Sequence, residues 1–254
     1  MDFTHALDRT PGRSLVAGIT TADLGQPDHG MALKQHAAYI QALEGCGFQV
    51  RVLDASEAYP DSTFIEDVAL LTPQCAILLN PGAPSRKGET AGMDKVLGEY
   101  FPQVHRIEEP ATVEGGDILQ VEDHFTIGLT ERTNRMGAEK VIEILERSGL
   151  SGSVVPVQDM LHLKTGIASL SRHLVIADQA LLAHPAFQDF PTLRVNPEEA
   201  YAANCLEING TVLLPAGFPR TRRLLQDAGY DVAAVDVTEF RKLDGGLSCL
   251  SLRF

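Results

Sequence analysis

No stretch of this 254-residue chain approaches the roughly 20 consecutive apolar residues that a bilayer crossing demands, so a membrane-spanning role is not expected. The four cysteines, Cys46, Cys75, Cys205 and Cys249, stand far apart with no CxxC pair and no framework spacing. That pattern points to reduced thiols in a cytoplasm rather than to a disulfide scaffold. The opening Met1-Asp2-Phe3-Thr4-His5 has neither the basic region nor the apolar core of a signal peptide, which agrees with a cytoplasmic location. Low-complexity tracts and linkers are missing, so one domain over residues 1–254 is expected. Positive charge is scarce: 21 Lys and Arg stand against 34 Asp and Glu, a net charge of −13. Nucleic acid and anionic membranes are therefore poor partners, whereas a cationic small ligand suits such a field. The oligomeric state is left open, with a homodimer as one option.

What the chain does have is a repeat. After a short strand at 6–9, residues 28–46 read as a helix, with Leu33, Ala37, Ile40 and Leu43 at helical spacing, and 48–53 as a strand. Then comes a hairpin, 69–71 with 76–79, a helix over 89–100 and a strand near 104–107. The same order follows in 117–121 with 125–128, a helix at 134–148 and a strand at 153–157. A third unit runs 166–170 with 174–177, a short helix and 192–195. The fourth pairs 205–208 with 211–214 through Asn209-Gly210, a strong hairpin signal, then gives a helix at 220–228 and a strand at 231–235. A fifth unit starts at Gly245 but stops after one strand, and the N-terminal strand and helix complete it. The expectation is an α/β fold of five ββαβ units, recurring about every 40–50 residues as in a propeller or closed array.

The loop before each hairpin carries the polar chemistry. These loops hold Asp61, Glu66 and Asp67; Glu114 and Asp117; His162 and Lys164; Asn204; and Cys249 behind the Gly245-Gly246 pair. A lone free cysteine is usually a small core residue, and a lone histidine usually a hydrogen-bonded structural one. Their recurrence at equivalent places in five repeats favours a shared site with a nucleophile, a proton carrier and several anions.

Those segments, Phe64-Ile65-Glu66-Asp67, Val113-Glu114-Gly115-Gly116-Asp117, Leu161-His162-Leu163-Lys164-Thr165-Gly166 and Gly245-Gly246-Leu247-Ser248-Cys249, resemble the guanidine-modifying, or pentein, superfamily. The length, the Arg9-Thr10-Pro11-Gly12-Arg13-Ser14 segment and the Cys-x-x-x-x-Phe ending resemble its bacterial dimethylarginine dimethylaminohydrolases most. The resemblance spans nearly the whole chain and implies a five-bladed ββαβ propeller. It also implies a hydrolase that turns asymmetric dimethylarginine and monomethylarginine into citrulline and an alkylamine through a covalent S-alkylthiouronium intermediate. Cys249 would be the nucleophile, His162 the general acid and base, and Glu114 the carboxylate that orients it. Asp61, Glu66 and Asp67 would receive the cation, Arg86 and Arg132 would clamp the substrate carboxylate, and Ile19 and Leu243 would contact its amino-acid end. Replacing either arginine by alanine is expected mainly to raise KM. No metal or organic cofactor is implied; Cys249 with His162 could take zinc adventitiously, but two ligands are too few for a dedicated site. Arginine deiminase or another guanidino-group hydrolase of the superfamily, and a non-catalytic binder of cationic amino acids, are the alternatives. His162 is expected to be largely neutral at neutral pH, and the carboxylates are expected to keep the Cys249 thiol protonated until a guanidinium arrives.

Overall fold

The computed structural model describes residues 3–254. By its internal contacts the chain divides into two compact units, Met1–Phe64 with Thr165–Arg253, and Ile65–Lys164 with Phe254. Among the described residues no helix is long and apolar enough to cross a membrane.

Strand β1 (His5–Arg9) leads through a 3-10 turn into helix α1 (His29–Gly45) and strand β2 (Gln49–Leu53). Helix α1 begins where expected because the Asp28 carboxylate accepts from Met31 N at 2.6 Å, satisfying an otherwise orphaned donor. Next come β3 (Ala69–Leu71), β4 (Ala76–Leu78), α2 (Met93–Gly98) and β5 (Val104–Arg106). The helix anticipated over 89–100 is shorter than its pattern: Pro84–Thr90 forms a 3-10 turn, and Gly92, at φ 77°, starts α2 afresh. The next unit is β6 (Ile118–Val121), β7 (His124–Leu129), α3 (Arg135–Arg147) and β8 (Ser151–Pro156). Asn134 caps α3 by accepting from Gly137 N at 2.8 Å, and Ala138, Val141 and Leu145 bury one helical face.

The third unit contains β9 (Ile167–Ser169), β10 (Leu174–Ile176), two short helices, α4 (Gln179–Ala183) and α5 (Pro185–Gln188), and β11 (Thr192–Arg194). Pro185 splits what reads as one helix, because a proline has no N–H to continue the ladder and restricts the residue before it. The fourth has β12 (Leu206–Ile208), β13 (Thr211–Pro215), α6 (Pro219–Asp227) and β14 (Asp231–Val235). The sequence pattern did not signal the four-residue α7 (Thr238–Arg241), which precedes β15 (Ser251–Arg253).

Each unit makes a three-stranded sheet in which the first two strands are antiparallel and the last runs parallel to the second. The fifth is assembled from both ends of the chain: β15 pairs antiparallel with β1, Ala6 opposite Arg253, and β1 pairs parallel with β2. A 3-10 turn stands just ahead of the first strand of every unit, at Ile65–Val68, Gly115–Asp117, Leu163–Thr165, Pro197–Ala203 and Ser248–Leu250. The chemistry-bearing loops are thus equivalent in structure as well as in sequence order. In the larger unit Leu15, Tyr39, Leu43, Phe240, Leu247 and Leu250 belong to one buried cluster; in the smaller, Ile77, Phe125, Ile127, Val141 and Leu145 do so.

Candidate active site

The unit formed by residues 65–164 holds a buried histidine–carboxylate pair. His162 Nε2 lies 2.6 Å from Glu114 Oε2, and both residues are enclosed. A carboxylate can only accept, so Nε2 carries a proton and Nδ1 is the nitrogen left for proton exchange. The other Glu114 oxygen accepts from the backbone N–H groups of Gly82 at 2.9 Å and Ala83 at 3.4 Å. Burial pushes the Glu114 carboxyl up, but His162, Arg86 and Arg132 outweigh it and bring the group down to about 2. Burial would also discharge His162; Asp67, the hydrogen bond to Glu114, Asp117 and the Glu114 charge prevail and raise it to about 9. The expectation of a largely neutral His162 is therefore reversed: at neutral pH this imidazole is a cation.

Two residues given no individual role from the sequence shape this centre. Asp117 is wholly buried, and its Oδ1 accepts from Leu163 N at 2.9 Å, pinning the backbone beside His162. Its Oδ2 accepts from Thr133 Oγ1 at 2.6 Å and Thr130 Oγ1 at 2.8 Å. Burial raises its carboxyl, with His162 and these donors opposing. Gly116 lies so close to the imidazole that a Cβ there would sit 2.7 Å from His162 Cγ and Nδ1, so a side chain would displace the ring. Gly-Gly-Asp after Glu114 was the available signal for both.

Asp67 and Arg86 are also buried here, but bound to each other. Asp67 Oδ2 accepts from Arg86 Nη1 at 2.6 Å, and Asp67 Oδ1 from Gly116 N at 2.8 Å. Arg86 Nε and Nη2 reach Glu89 at 3.0 and 2.8 Å. Its guanidinium is held well above the ordinary arginine range by Asp67 and Glu89 against the burial that opposes it. Glu66 is buried and accepts from Lys164 Nζ at 2.7 Å. Arg132 is half-buried, and its charge acts on Glu114. Arg86 and Arg132 therefore differ in kind. Arg86→Ala strands two buried carboxylates, so it is expected to cost about 3–5 kcal/mol of stability in addition to raising KM. Arg132→Ala should raise KM with little loss of stability; thermal unfolding alongside kinetics separates the two.

One ligand atom each of Asp67, Glu114 and His162 falls within 4.8 Å of the others, a spacing a metal could use. The donor set argues for proton handling instead. Glu114 and His162 satisfy each other, His162 is protonated, and the Arg86 guanidinium fills one side of Asp67.

The larger unit carries Cys249 at the middle of the Ser248–Leu250 turn, half-buried, with Gly246 N directed at its Sγ over 3.4 Å. Asn204 secures the turn, donating to Ser248 Oγ and accepting from Ser248 N, each at 3.1 Å. Tyr201 Oη donates to Gly245 O at 2.6 Å, and burial, with Cys249 nearby, keeps the phenol neutral. The Gly245-Gly246 pair exists for close packing: a Cβ on the first would be 2.2 Å from the Phe64 ring and on the second 2.4 Å from Asn204 Oδ1. In the same unit Asp61 is buried and accepts from Ile19 N at 3.0 Å, with Ile19 exposed and Leu243 buried. Asp61 and Leu243 both border Gly18, so these three residues come together. Cys46, Cys75 and Cys205 are free thiols. Burial pushes the Cys205 thiol up to about 12, and Cys205 lies just before β12 rather than within the strand.

The arginine deiminase family model matches residues 84–209. N(G),N(G)-dimethylarginine dimethylaminohydrolase of Pseudomonas aeruginosa is 50% identical over 253 residues, covering 99% of this chain and 100% of its own. The solved structure of the C249S variant of that organism's enzyme, in complex with citrulline, matches with a TM-score of 0.98 at 50% identity, covering 100% of both chains. A dimethylarginine dimethylaminohydrolase H162G adduct with S-methyl-L-thiocitrulline matches with a TM-score of 0.97 at 50% identity, covering 99% of this chain and 100% of its own. With half of its residues shared from end to end, and five ββαβ units in the same fold, the chain belongs to the dimethylarginine dimethylaminohydrolase family of the pentein superfamily.

Proposed function

We propose that this chain, acting as one catalytic domain, hydrolyses Nω-methylated arginines to citrulline and the corresponding methylamine. The observation that carries the reading is the buried His162–Glu114 pair, 2.6 Å apart with His162 raised to about 9, a proton donor of the strength an amine leaving group needs. The Cys249 thiolate adds to the guanidinium carbon. The carbon–nitrogen bond to the methylated nitrogen then breaks as His162 protonates the departing amine, leaving an S-alkylthiouronium. Now neutral, His162 takes a proton from water, the water oxygen bonds to the same carbon, and the carbon–sulfur bond breaks to give the thiolate and citrulline, the remaining hydroxyl proton passing to solvent and so to the free amine. Glu114 keeps the ring oriented and offsets its charge throughout. Asp61, Glu66 and Asp67 supply the negative field for the guanidinium, while Arg132, Arg86, Ile19 and Leu243 serve the amino-acid end.

The family relatives support the two central roles. The variants that hold citrulline and S-methyl-L-thiocitrulline are altered at a cysteine numbered 249 and a histidine numbered 162, and this chain has cysteine and histidine at those numbers. The arginine deiminase match supplies a second reading, hydrolysis of unmethylated arginine. Measuring citrulline from asymmetric dimethylarginine, monomethylarginine and arginine in parallel decides between them. Turnover of the methylated substrates with arginine inert is the expected result, and turnover of arginine alone would establish the deiminase reading.

A further inference from the structure

Beside the nucleophile turn, within the unit that carries it, lies a buried polar seam that the reaction scheme does not use. Strand β15 leaves the turn at Ser251, which stands opposite Asp8, while Arg253 stands opposite Ala6. Residues two apart on a strand share a face, as do residues directly opposite across a ladder, so Asp8, Ser251 and Arg253 project from one side. Helix α1 supplies the partners: His36 Nε2 meets Asp8 Oδ1, and Tyr39 Oη meets Ser251 Oγ at 2.7 Å. Arg253 Nη1 then donates to three acceptors, Ser251 O at 2.7 Å, Ser248 O at 2.9 Å and Ser251 Oγ at 3.0 Å. Asp8, Tyr39 and Ser251 are fully enclosed and His36 nearly so. Asp8 Oδ2 has no hydrogen-bond partner among the described residues, and burial raises the Asp8 carboxyl against the opposing His36 and Arg253.

Apolar side chains of similar volume could fill such a seam without taking charges out of water. Its value therefore lies in what it holds. Asn204 already fixes the N–H and hydroxyl of Ser248, and Arg253 fixes the carbonyl of the same residue. Both peptide planes flanking Ser248 are thereby pinned, one of them the plane that leads into Cys249. We propose that Arg253 is a positioning residue for the nucleophile: by clamping the Ser248 carbonyl it sets the direction in which the Cys249 Cβ–Sγ bond leaves the backbone. This rests on the role of Cys249 in the proposed function. A misplacement of about 1 Å in a reacting group can cost roughly 100-fold in rate, so the clamp bears on kcat more than on substrate affinity.

The test compares Arg253→Met, Arg253→Lys and the wild type in kcat per folded active site, KM for asymmetric dimethylarginine, and the rate of Cys249 alkylation by iodoacetamide. Arg253→Met should lose roughly tenfold or more in kcat with KM moved less than about threefold, and should change the alkylation rate at least about fivefold. Arg253→Lys, which keeps a cationic donor, should recover most of the loss. A kcat and an alkylation rate within about twofold of wild type would overturn the proposal. If Arg253→Met does not fold, Ser251→Ala removes the hydroxyl that Tyr39 and Arg253 share. It should lower kcat roughly threefold, and an unchanged kcat overturns the proposal equally. A wild type that makes no citrulline, with alkylation still altered by Arg253→Met, would refute the proposed function and leave the positioning role standing.

Discussion

Cys249→Ser is expected to lower citrulline formation by at least about 10⁴-fold while leaving affinity for the substrate or citrulline within a few fold. A serine hydroxyl ionises far above a thiol, so its anion is far scarcer at neutral pH. The turn itself should survive, because Tyr201 and Asn204 hold Gly245 and Ser248 without using the sulfur. The loss is thus chemical rather than structural, and equilibrium binding by calorimetry beside a citrulline assay tells the two apart. The remaining thiols are the internal control. Cys75 and Cys205 are buried and Cys46 caps α1, so conservative replacement of each should leave kcat near wild type. Turnover surviving in Cys249→Ser, or vanishing in one of the other three, would move the nucleophile and remove the covalent scheme with it.

The repeat was legible because its signals are local. Asn209-Gly210 marks a hairpin, and the turn does place both residues at positive φ, 46° and 90°. The caps Asp28 and Asn134 mark helix starts, and each unit restates strand, strand, helix, strand. Pairing of the chain ends followed from a fifth unit one strand long, and Ala6 does lie opposite Arg253. Motif resemblance brought in the acid–base pair, but not how its members are charged. The ionisation of His162 depends on Asp67, Glu114 and Asp117, which lie about 45–95 residues away in the chain, and no local pattern adds those fields together. The partners of Arg86 were illegible for a related reason: a 3-10 turn folds Glu89 back onto it, and Asp67 reaches it from 19 positions away.

His162→Gly is expected to produce the second large effect, a loss of about 10³-fold or more in turnover with covalent enzyme accumulating during the attempt. Protonation of the leaving amine and activation of water both fall to this ring, so its removal slows intermediate formation and hydrolysis alike. A good leaving group bypasses the first step, and S-methyl-L-thiocitrulline should then leave a persistent adduct visible by intact mass. The wild-type pH profile carries the electrostatic half of the prediction. With His162 raised to about 9, its acid form persists through neutrality, so kcat/KM should hold its general acid up to that pH and decline above it. The stability linkage has the same sign. A histidine raised from about 6.5 to about 9 stabilises the fold fully below 6.5 and progressively less as pH rises through 9. The Tm gap between wild type and His162→Gly should therefore be widest below pH 6.5 and narrow toward pH 9 and above. A falling limb near pH 6.5 in kcat/KM, with a Tm gap that ignores pH, would show that Asp67, Glu114 and Asp117 do not hold the proton on this ring.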